Sequence, residues 1–303
     1  MERHLAPTPL RRSFALRRYG DVHLKLECWQ PTGSFKVRGA THVLASLEPD
    51  ERRRGVVAAS AGNHALGVAY AAQATGGVAA TVFVPESAPR TKVDKLRTFA
   101  VEVRQHGASY DDADALAREH AARAGAYYVH AYDDVRTAAG QGTVGLEILE
   151  QLAEVSSVVV PVGGGGLISG IATAVKALRP SARIVAVQPE ASPSLRESLR
   201  LGRPLLTFPA DATLADGLAG GIGELVFAHR DLIDDVVVVP EREIEDAVVA
   251  LLSHDQVVCE GAGAAAAAAI QAGLVRADGP VVAVVTGGNI DAVVLARLLA
   301  ARV

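Results

Sequence analysis

Short runs of β-branched and other apolar residues alternate along this chain with longer segments rich in Ala and Leu. The runs indicate strands, and the longer segments, which have helical periodicity, indicate helices. The predicted strands are residues 56–59, 78–84, 101–105, 127–130, 157–162, 183–188, 236–239 and 281–285. The predicted helices are residues 65–73, 90–99, 112–124, 137–154 and 244–254. Two further helices are predicted: one ends near Leu178, and the other includes the six alanines 264–269. Continuously apolar strands separated by helices predict an α/β fold, in which a parallel sheet is covered on both faces.

No internal repeat, Ser-rich linker or heptad pattern divides the chain into two halves. A second domain must therefore be inserted into the first. We expect a large domain formed by residues 1–54 and 131–303, and a small inserted domain over residues 55–130.

The composition predicts a soluble globular protein, since half of the 303 residues are hydrophobic and the formal net charge is -4. Residues 52–54 form the one locally basic run, so a nucleic-acid partner is not expected. Residues 1–14 lack the apolar core of a signal peptide, and no apolar run is long enough for a membrane span. Cys28 and Cys259 are too few for a disulfide framework or a four-ligand zinc site, so we expect a reducing, cytoplasmic location.

One lysine near the N-terminus is a candidate catalytic group. Lys36 lies in the segment PTGSFKVRGA, at the expected start of a helix and among small and apolar neighbours. Partial desolvation there would favour the neutral amine, which is a nucleophile toward an aldehyde. The alternative is a solvated lysine at a helix end, which this segment alone does not exclude.

Two junctions between a predicted strand and a helix could bind anions. The first is Ser60–His64 (SAGNH), where small residues leave backbone N–H groups free for a carboxylate; ordinary helix capping by Ser60 or Asn63 is the alternative. The second is the run of four glycines, 163–166, before Leu167, which lets the backbone surround a tetrahedral anion. The run contains neither G-x-G-x-x-G nor a Walker A lysine, so we predict a monophosphate site and disfavour a nicotinamide-linked oxidoreductase.

A third junction, TGGN at residues 286–289, follows the last predicted strand and presents the hydroxyl of Thr286. Taken alone, it is a turn with a helix cap. Together, a nucleophilic lysine, a monophosphate site, an anion-binding helix start and a strand-end hydroxyl suit pyridoxal 5′-phosphate (PLP).

The chain resembles the fold-type II PLP-dependent enzymes, and within them the threonine/serine dehydratase and serine racemase group. The matching segments occur in family order and cover nearly the whole chain. They are TPL at residues 8–10, KLE at 25–27, PTGSFKVRGA at 31–40, SAGNH at 60–64, GQGT at 140–143, GGGG at 163–166, ADG at 215–217, EGAG at 260–263 and TGGN at 286–289. The resemblance implies a large and a small domain with twisted, mostly parallel sheets, as in the tryptophan synthase β subunit.

The resemblance also implies a role for each site residue. Lys36 would hold PLP covalently and then act as the base at the substrate Cα, as the catalytic residue. Phe35 would pack near the cofactor ring, Asn63 would bind its phenolic oxygen, and Thr286 would hydrogen-bond the pyridine nitrogen. The phosphate would be bound by Gly163, Gly164, Gly165, Gly166 and Leu167. The substrate carboxylate would be bound by Ser60, Ala61, Asn63 and His64.

Several positions depart from the family pattern. Ala61 stands where serine racemases carry a second serine, so racemisation is disfavoured. Gln188 and Ser194 stand near positions where many relatives carry acids that bind a divalent cation, and we expect no metal there because neutral oxygens are poor ligands for it. Thr286 replaces the more frequent Ser, and Leu66 and Ala131 replace residues that are more often Gln and Pro. The chain ends soon after its last predicted helix, so a regulatory effector-binding domain is not expected.

The resulting expectation is a homodimeric PLP-dependent ammonia-lyase that removes water from L-threonine, L-serine or both, giving a 2-oxo acid and ammonia. Three alternatives stay open: a related eliminase that acts on threo-3-hydroxyaspartate, a serine racemase, and a PLP- or amino-acid-binding protein without turnover. Glu260 is one further acid of interest, either near the pyridine edge or as a cap for the turn at Gly261.

Overall fold

The computed structural model describes residues 4–302, which form ten strands and twelve α-helices. The strands are β1 (Leu10–Arg12), β2 (Val22–Lys25), β3 (Val56–Ala59), β4 (Ala80–Val84), β5 (Glu102–Gln105), β6 (Tyr127–Tyr128), β7 (Ser157–Pro161), β8 (Arg183–Pro189), β9 (Asp235–Val239) and β10 (Val281–Val284). The helices are α1 (Lys36–Ala45), α2 (Pro49–Arg54), α3 (Asn63–Ala74), α4 (Arg90–Leu96), α5 (Tyr110–Ala124), α6 (Val135–Gln151), α7 (Gly166–Leu178), α8 (Ser194–Leu201), α9 (Glu224–Ala228), α10 (Glu241–Asp255), α11 (Gly261–Gln271) and α12 (Ala292–Ala300). The predicted α/β class is confirmed.

The described residues divide into two compact units. The first unit contains residues 4–6 and Lys36–Gln141, and the second unit contains Pro7–Phe35 and residues 142–302. The first unit thus has wider limits than the insertion predicted over residues 55–130. The reason is packing: α1 contributes Ala40, Val43 and Leu44 to a core that also contains residues of β3 and α3.

The second unit contains a six-stranded sheet in the order β1-β2-β10-β7-β8-β9. All neighbouring strands are parallel except β1, which pairs antiparallel with β2 at one edge. Successive residues of β7 point to opposite faces, so Val159 joins one hydrophobic core while Val158 and Val160 join another. Both faces of this sheet are covered, as the continuously apolar strands predict.

Helix α11 explains the run of six alanines. Ala264–Ala269 lie inside this helix, and each of these residues is buried in the core on one face of the six-stranded sheet. Small side chains with high helix propensity let the helix pack closely against its surroundings. The alanine run is therefore a core helix.

The first unit contains a four-stranded parallel sheet in the order β5-β4-β3-β6. Val56 and Ala58 of β3 pack into the core with α1, while Val57 and Ala59 on the opposite face pack with alanines of α5. Helix α5 begins with a capping box, in which Ser109 and Asp112 each accept from the other's backbone N–H group. The acidic start of this helix is therefore a structural cap.

No helix within residues 4–302 is both long and apolar enough to cross a membrane.

Candidate active site

In the first unit, Lys36 is the first residue of α1 and is half-buried. Its Nζ donates a hydrogen bond of 2.9 Å to the backbone carbonyl of Ala131, in the turn after β6. The start of α1 also lies close to α3, since a Cβ added at Gly67 would stand 3.0 Å from the carbonyl carbon and oxygen of Lys36. The fold thus fixes the lysine against the helix that begins at Asn63.

The turn that receives the Lys36 amine has three consecutive carbonyl acceptors. Val129 accepts from Nε2 of His64 at 2.8 Å, His130 accepts from the hydroxyl of Thr137 at 3.0 Å, and Ala131 accepts from Lys36. These donors come from three different helices, α3, α6 and α1. Sequence reasoning missed this arrangement, because backbone acceptors leave no side-chain pattern.

The segment Ser60–His64 forms the entry to α3. The Ser60 hydroxyl accepts from the N–H group of Gly62 at 3.0 Å, and Gly62 occupies the N-cap position without a side-chain cap. The Ser60 hydroxyl thus bonds to the N–H group of the N-cap residue itself, one position before the first residue of α3. N–H groups in the first turn of a helix lack intrahelical acceptors, which suits an anion such as a carboxylate. Ala61, in the same turn, offers no polar side-chain atom.

His64 is buried and electrically neutral. Burial, with a smaller effect from the nearby Lys36 amine, lowers the pKa of His64 to about 3. Because a carbonyl oxygen can only accept, the bond to Val129 requires that Nε2 carries the proton. His64 therefore has no positive charge to offer a carboxylate near neutral pH.

In the second unit, two segments from opposite ends of the chain form one backbone-bonded pair of turns. Phe35 N–H donates to the carbonyl of Thr286 at 3.0 Å, and Gly288 N–H donates to the carbonyl of Gly33 at 2.9 Å. The Asn289 side chain adds a bond of 2.9 Å to the carbonyl of Thr32. These bonds join the residues before Lys36 to the turn after β10.

The glycine run forms the connection from β7 to α7. Gly163 and Gly164 are half-buried, whereas Gly165, Gly166 and Leu167 are buried. Gly165 has φ of 94° and is the N-cap of α7, which has no side-chain cap. A Cβ on Gly165 would stand 2.3 Å from Cβ of Val226, so only glycine fits there.

Thr286 and the glycine run leave neighbouring strands at the same edge of the sheet. Strands β7 and β10 are parallel, with Val159 opposite Ala283. Continuing this register places Thr286 level with Val162, the residue before Gly163. The Thr286 side chain is buried, and its hydroxyl donates to the carbonyl of Ala262 at 3.3 Å.

Each unit separately presents groups that fit parts of PLP. In the second unit, the first turn of the thirteen-residue helix α7 directs its N–H groups toward a connection with no side chains, which suits a phosphate. The Thr286 hydroxyl has a long, weak bond and can rotate its proton toward a ring nitrogen. In the first unit, the amine of Lys36 meets a neutral carbonyl.

Gln188 has a structural role that the sequence did not reveal. The side chain is fully buried, and its amide oxygen accepts from the N–H groups of Leu195 and Arg196 in the first turn of α8. Its Nε2 donates to the carbonyl of Val162 and to the hydroxyl of Ser194, both at 3.3 Å. Within residues 4–302, no three His, Cys, Asp or Glu side chains are grouped so that they could hold a metal ion.

Glu260 occupies the N-cap position of α11, but its side chain makes no capping bond to that helix. Its backbone N–H donates to the carbonyl of Gly287 at 3.1 Å. The capping alternative for Glu260 is therefore wrong, and its backbone instead contributes to holding the turn after β10.

Comparisons with known proteins agree with these features. The sequence model of a family described as "Pyridoxal-phosphate dependent enzyme" matches residues 1–287. An L-threonine ammonia-lyase from Thermotoga maritima is 46% identical over 282 residues, which are 92% of this chain and 70% of that protein.

Two solved structures have similar folds. The processed form of threonine deaminase isoform 2 from Solanum lycopersicum has a TM-score of 0.91 and 34% identity, with 98% of this chain and 83% of that chain covered. Maize serine racemase has a TM-score of 0.91 and 34% identity, with coverage of 99% and 93%. The chain therefore belongs to the family of pyridoxal-phosphate-dependent enzymes.

Proposed function

We propose that this enzyme is a PLP-dependent ammonia-lyase that converts L-threonine, and also L-serine, to a 2-oxo acid and ammonia. The proposal is supported by the 46% identity to an L-threonine ammonia-lyase over 92% of the chain. The structural observation that carries it is Lys36, an amine fixed at a helix start on a neutral backbone carbonyl. A carbonyl carries no net charge, so this contact stabilises the ammonium form of the amine less than a contact with a carboxylate would.

The family resemblance supports the following roles in cofactor binding. Lys36 would bond to it covalently, Asn63 would bind its phenolic oxygen and Phe35 would pack near its ring. The N–H groups of Gly163, Gly164, Gly165, Gly166 and Leu167 would bind the phosphate, which the uncapped start of α7 favours. Thr286 would bind the pyridine nitrogen.

Bound PLP supplies an aldehyde and an electron-accepting ring, which together acidify the Cα–H bond of an attached amino acid. Lys36 would take the Cα proton with its amine. Ser60, Ala61, Asn63 and His64 would hold the substrate carboxylate. Because His64 is neutral, it would contribute through backbone N–H and ring dipoles rather than through charge.

The hydroxyl of Thr286 sets how strongly the cofactor ring accepts electrons. A neutral hydroxyl does not keep a proton on the ring nitrogen, as a carboxylate would. With PLP bound, a ring that accepts electrons less strongly would favour loss of the β-hydroxyl group of the substrate. This choice of side chain supports elimination over transamination.

Serine racemisation is a second candidate, because maize serine racemase has a similar structure. Racemisation needs an acid or base on the second face of the substrate Cα. Ala61 offers no such group in the turn where that base would stand. We therefore favour elimination over racemisation as the function of this enzyme.

The test is an assay of 2-oxo acid release from L-threonine, L-serine and threo-3-hydroxyaspartate, with D-serine formation measured in parallel. We expect release from L-threonine and L-serine, little D-serine, and fixation of the cofactor on Lys36 by borohydride. Lys36→Ala should abolish release, while Lys95→Ala, at an exposed position of α4, should not change it. Absence of both 2-oxo acid and D-serine would leave a non-catalytic binding protein.

We also propose a homodimer located in the cytoplasm. The two cysteines are free and buried, which is usual for a reducing compartment. Light scattering of the purified protein would measure the mass of the assembly, and a monomer would contradict the dimer.

A further inference from the structure

The turn Val129–Ala131 is bound from three sides by side chains. Its three carbonyls accept from His64, Thr137 and Lys36, at 2.8, 3.0 and 2.9 Å. His64 and Thr137 are both buried, so their bonds are shielded from water. A buried acceptor that loses its donor is costly, and the two bonds therefore fix the turn firmly.

His130 is the middle residue of this turn, and its imidazole ring also stabilises it. Its Nδ1 accepts from the N–H groups of Asp133 at 2.7 Å and Tyr132 at 3.3 Å. The ring also packs edge-on against Tyr132, with centroids 4.6 Å apart. Burial, assisted by the positive charges of Arg118 and Lys36, lowers the pKa of His130, so that Nδ1 keeps the lone pair that these bonds need.

Lys36 depends on this turn for its acceptor. A lysine amine on a four-carbon stem has many rotamers, and ordering it costs about 2 kcal/mol of side-chain entropy. A carbonyl held in a fixed place selects the rotamers that reach it. A carbonyl carries no net charge, so this contact stabilises the ammonium form less than a carboxylate would.

We propose that the Val129–Ala131 turn is the resting place of the Lys36 amine whenever that amine is not bonded to the cofactor, and that Thr137 and His130 are positioning residues for it. The inference rests on the proposed role of Lys36 in catalysis. With PLP and an amino acid bound, the Lys36 amine would have to stay near the substrate Cα after leaving the cofactor. The Ala131 carbonyl, which accepts from this amine at 2.9 Å, would hold it.

Thr137 offers a matched pair of variants. Thr137→Val keeps the shape of the side chain and removes the donor to His130, whereas Thr137→Ser keeps the hydroxyl. In the full chain stripped of PLP, trace acetic anhydride would label lysines, and mass spectrometry would give the rate at Lys36 relative to Lys95. We expect labelling of Lys36 to be roughly fivefold faster in Thr137→Val, because the amine leaves its acceptor, and close to wild type in Thr137→Ser.

The holoenzyme supplies a second readout that general loosening of the fold would not produce. For L-threonine, Thr137→Val should lower kcat roughly tenfold with KM nearly unchanged. The reason is that an amine without a fixed position slows the proton transfer but does not affect substrate binding. Thr137→Ser should restore kcat. Equal labelling rates in Thr137→Val and wild type, or a fall in kcat that Ser does not restore, would overturn the proposal.

His130 provides an independent pair if Thr137→Val does not fold. An Asn side chain can place its oxygen near the position of Nδ1, so His130→Asn should label like wild type and His130→Ala should label faster. The labelling experiment needs neither cofactor nor substrate. Failure of the proposed function would instead appear as a wild-type holoenzyme that yields no 2-oxo acid and no borohydride-fixed cofactor on Lys36.

Discussion

The backbone N–H of Phe35 donates to the carbonyl of Thr286 at 3.0 Å, which joins two segments from opposite ends of the chain. The residue after Phe35 carries the candidate catalytic amine, and Thr286 carries the hydroxyl proposed for the ring nitrogen. A close approach of α11 supports this turn, since a Cβ on Gly263 would stand 2.2 Å from the carbonyl oxygen of Gly287. The position of Thr286 is therefore set by main-chain contacts, which side-chain substitutions at residue 286 leave in place.

Substitutions of Thr286 should separate the hydroxyl from the shape of its side chain. Thr286→Val should weaken PLP binding about tenfold, because the ring nitrogen loses its partner and a buried group is left unsatisfied. Thr286→Ser should bind PLP within twofold of wild type. Titration of the cofactor-free protein, followed by absorbance, measures both affinities. Equal affinities in Val and Ser variants would show that this hydroxyl does not contact the cofactor.

Gly165 and Gly202 offer a matched test of the phosphate site. Both have positive φ, 94° and 69°, so Ala introduces similar backbone strain of about 1 kcal/mol at each. A Cβ at Gly202 meets nothing within 4 Å, whereas at Gly165 it collides with Val226. In urea unfolding, we expect the free energy of unfolding of Gly202→Ala to fall only by this strain energy. That of Gly165→Ala should fall several-fold more, and this variant should bind PLP poorly. Equal losses would contradict the proposed tight glycine connection.

Much of this fold could be predicted from the sequence, because buried parallel strands are continuously apolar. Strands β3 and β7 were predicted within one residue of their observed bounds. Strands β1 and β2 were missed, since their residues LRR and VHLK mix polar and apolar types, and their pairing brings together segments separated by a loop. Strands of three or four residues with mixed composition are too short to show a hydrophobic pattern of their own.

The candidate site was predictable where its signal lies in local sequence. The glycine run after β7 and the hydroxyl at Thr286 could be read directly, because each follows a recognisable strand. The acceptor of Lys36 could not, because it is the carbonyl of Ala131, whose side chain takes no part in the contact. The capping function of Gln188 was equally hidden, since it depends on α8 lying against the end of β8.

A buried ion pair stabilises the second unit. Nζ of Lys25 lies 2.6 Å from Oε2 of Glu147 and also donates to the carbonyl of Thr8 and the side chain of Gln151. Lys25→Met removes the positive charge that lies beside the Glu147 carboxylate. This change should lower the free energy of unfolding by about 3 kcal/mol. Urea unfolding measures this loss. Adding Glu147→Gln to Lys25→Met should recover part of it, and no recovery would contradict the ion-pair explanation.

Removal of divalent cations should leave the enzyme unchanged. The amide of Gln188 is committed to α8, Val162 and Ser194, and a neutral amide and hydroxyl are weak ligands for a hard cation. After dialysis against EDTA, we expect the same kcat and the same Tm, and no shift when Mg²⁺ or Ca²⁺ is added. A saturable rise of Tm with either ion would contradict this prediction.

Gln188→Leu should lower the free energy of unfolding by about 2 kcal/mol, because the buried hydrogen bonds of the Gln188 amide are lost.

Acidification should destabilise the first unit through His64. The pKa of His64 is lowered from 6.5 to about 3 by burial first and by the Lys36 charge second. Between these values the unfolded chain binds a proton that the folded chain does not, so the free energy of unfolding falls as the pH falls below about 6.5. Relative to pH 8, this one group should remove about 2 kcal/mol by pH 5.

His64→Gln is the matched control for the pH experiment. The Gln amide can donate to the Val129 carbonyl in place of Nε2, but it does not titrate. Urea unfolding at pH 8, 6.5 and 5 should therefore show a smaller loss in His64→Gln than in wild type, by about 2 kcal/mol at pH 5. Part of the acid sensitivity should persist in the variant, because burial also lowers the pKa of His130. Identical pH profiles for the two proteins would mean that the folded chain admits a proton at His64, and that the Val129 contact does not hold the ring as the neutral Nε2–H form.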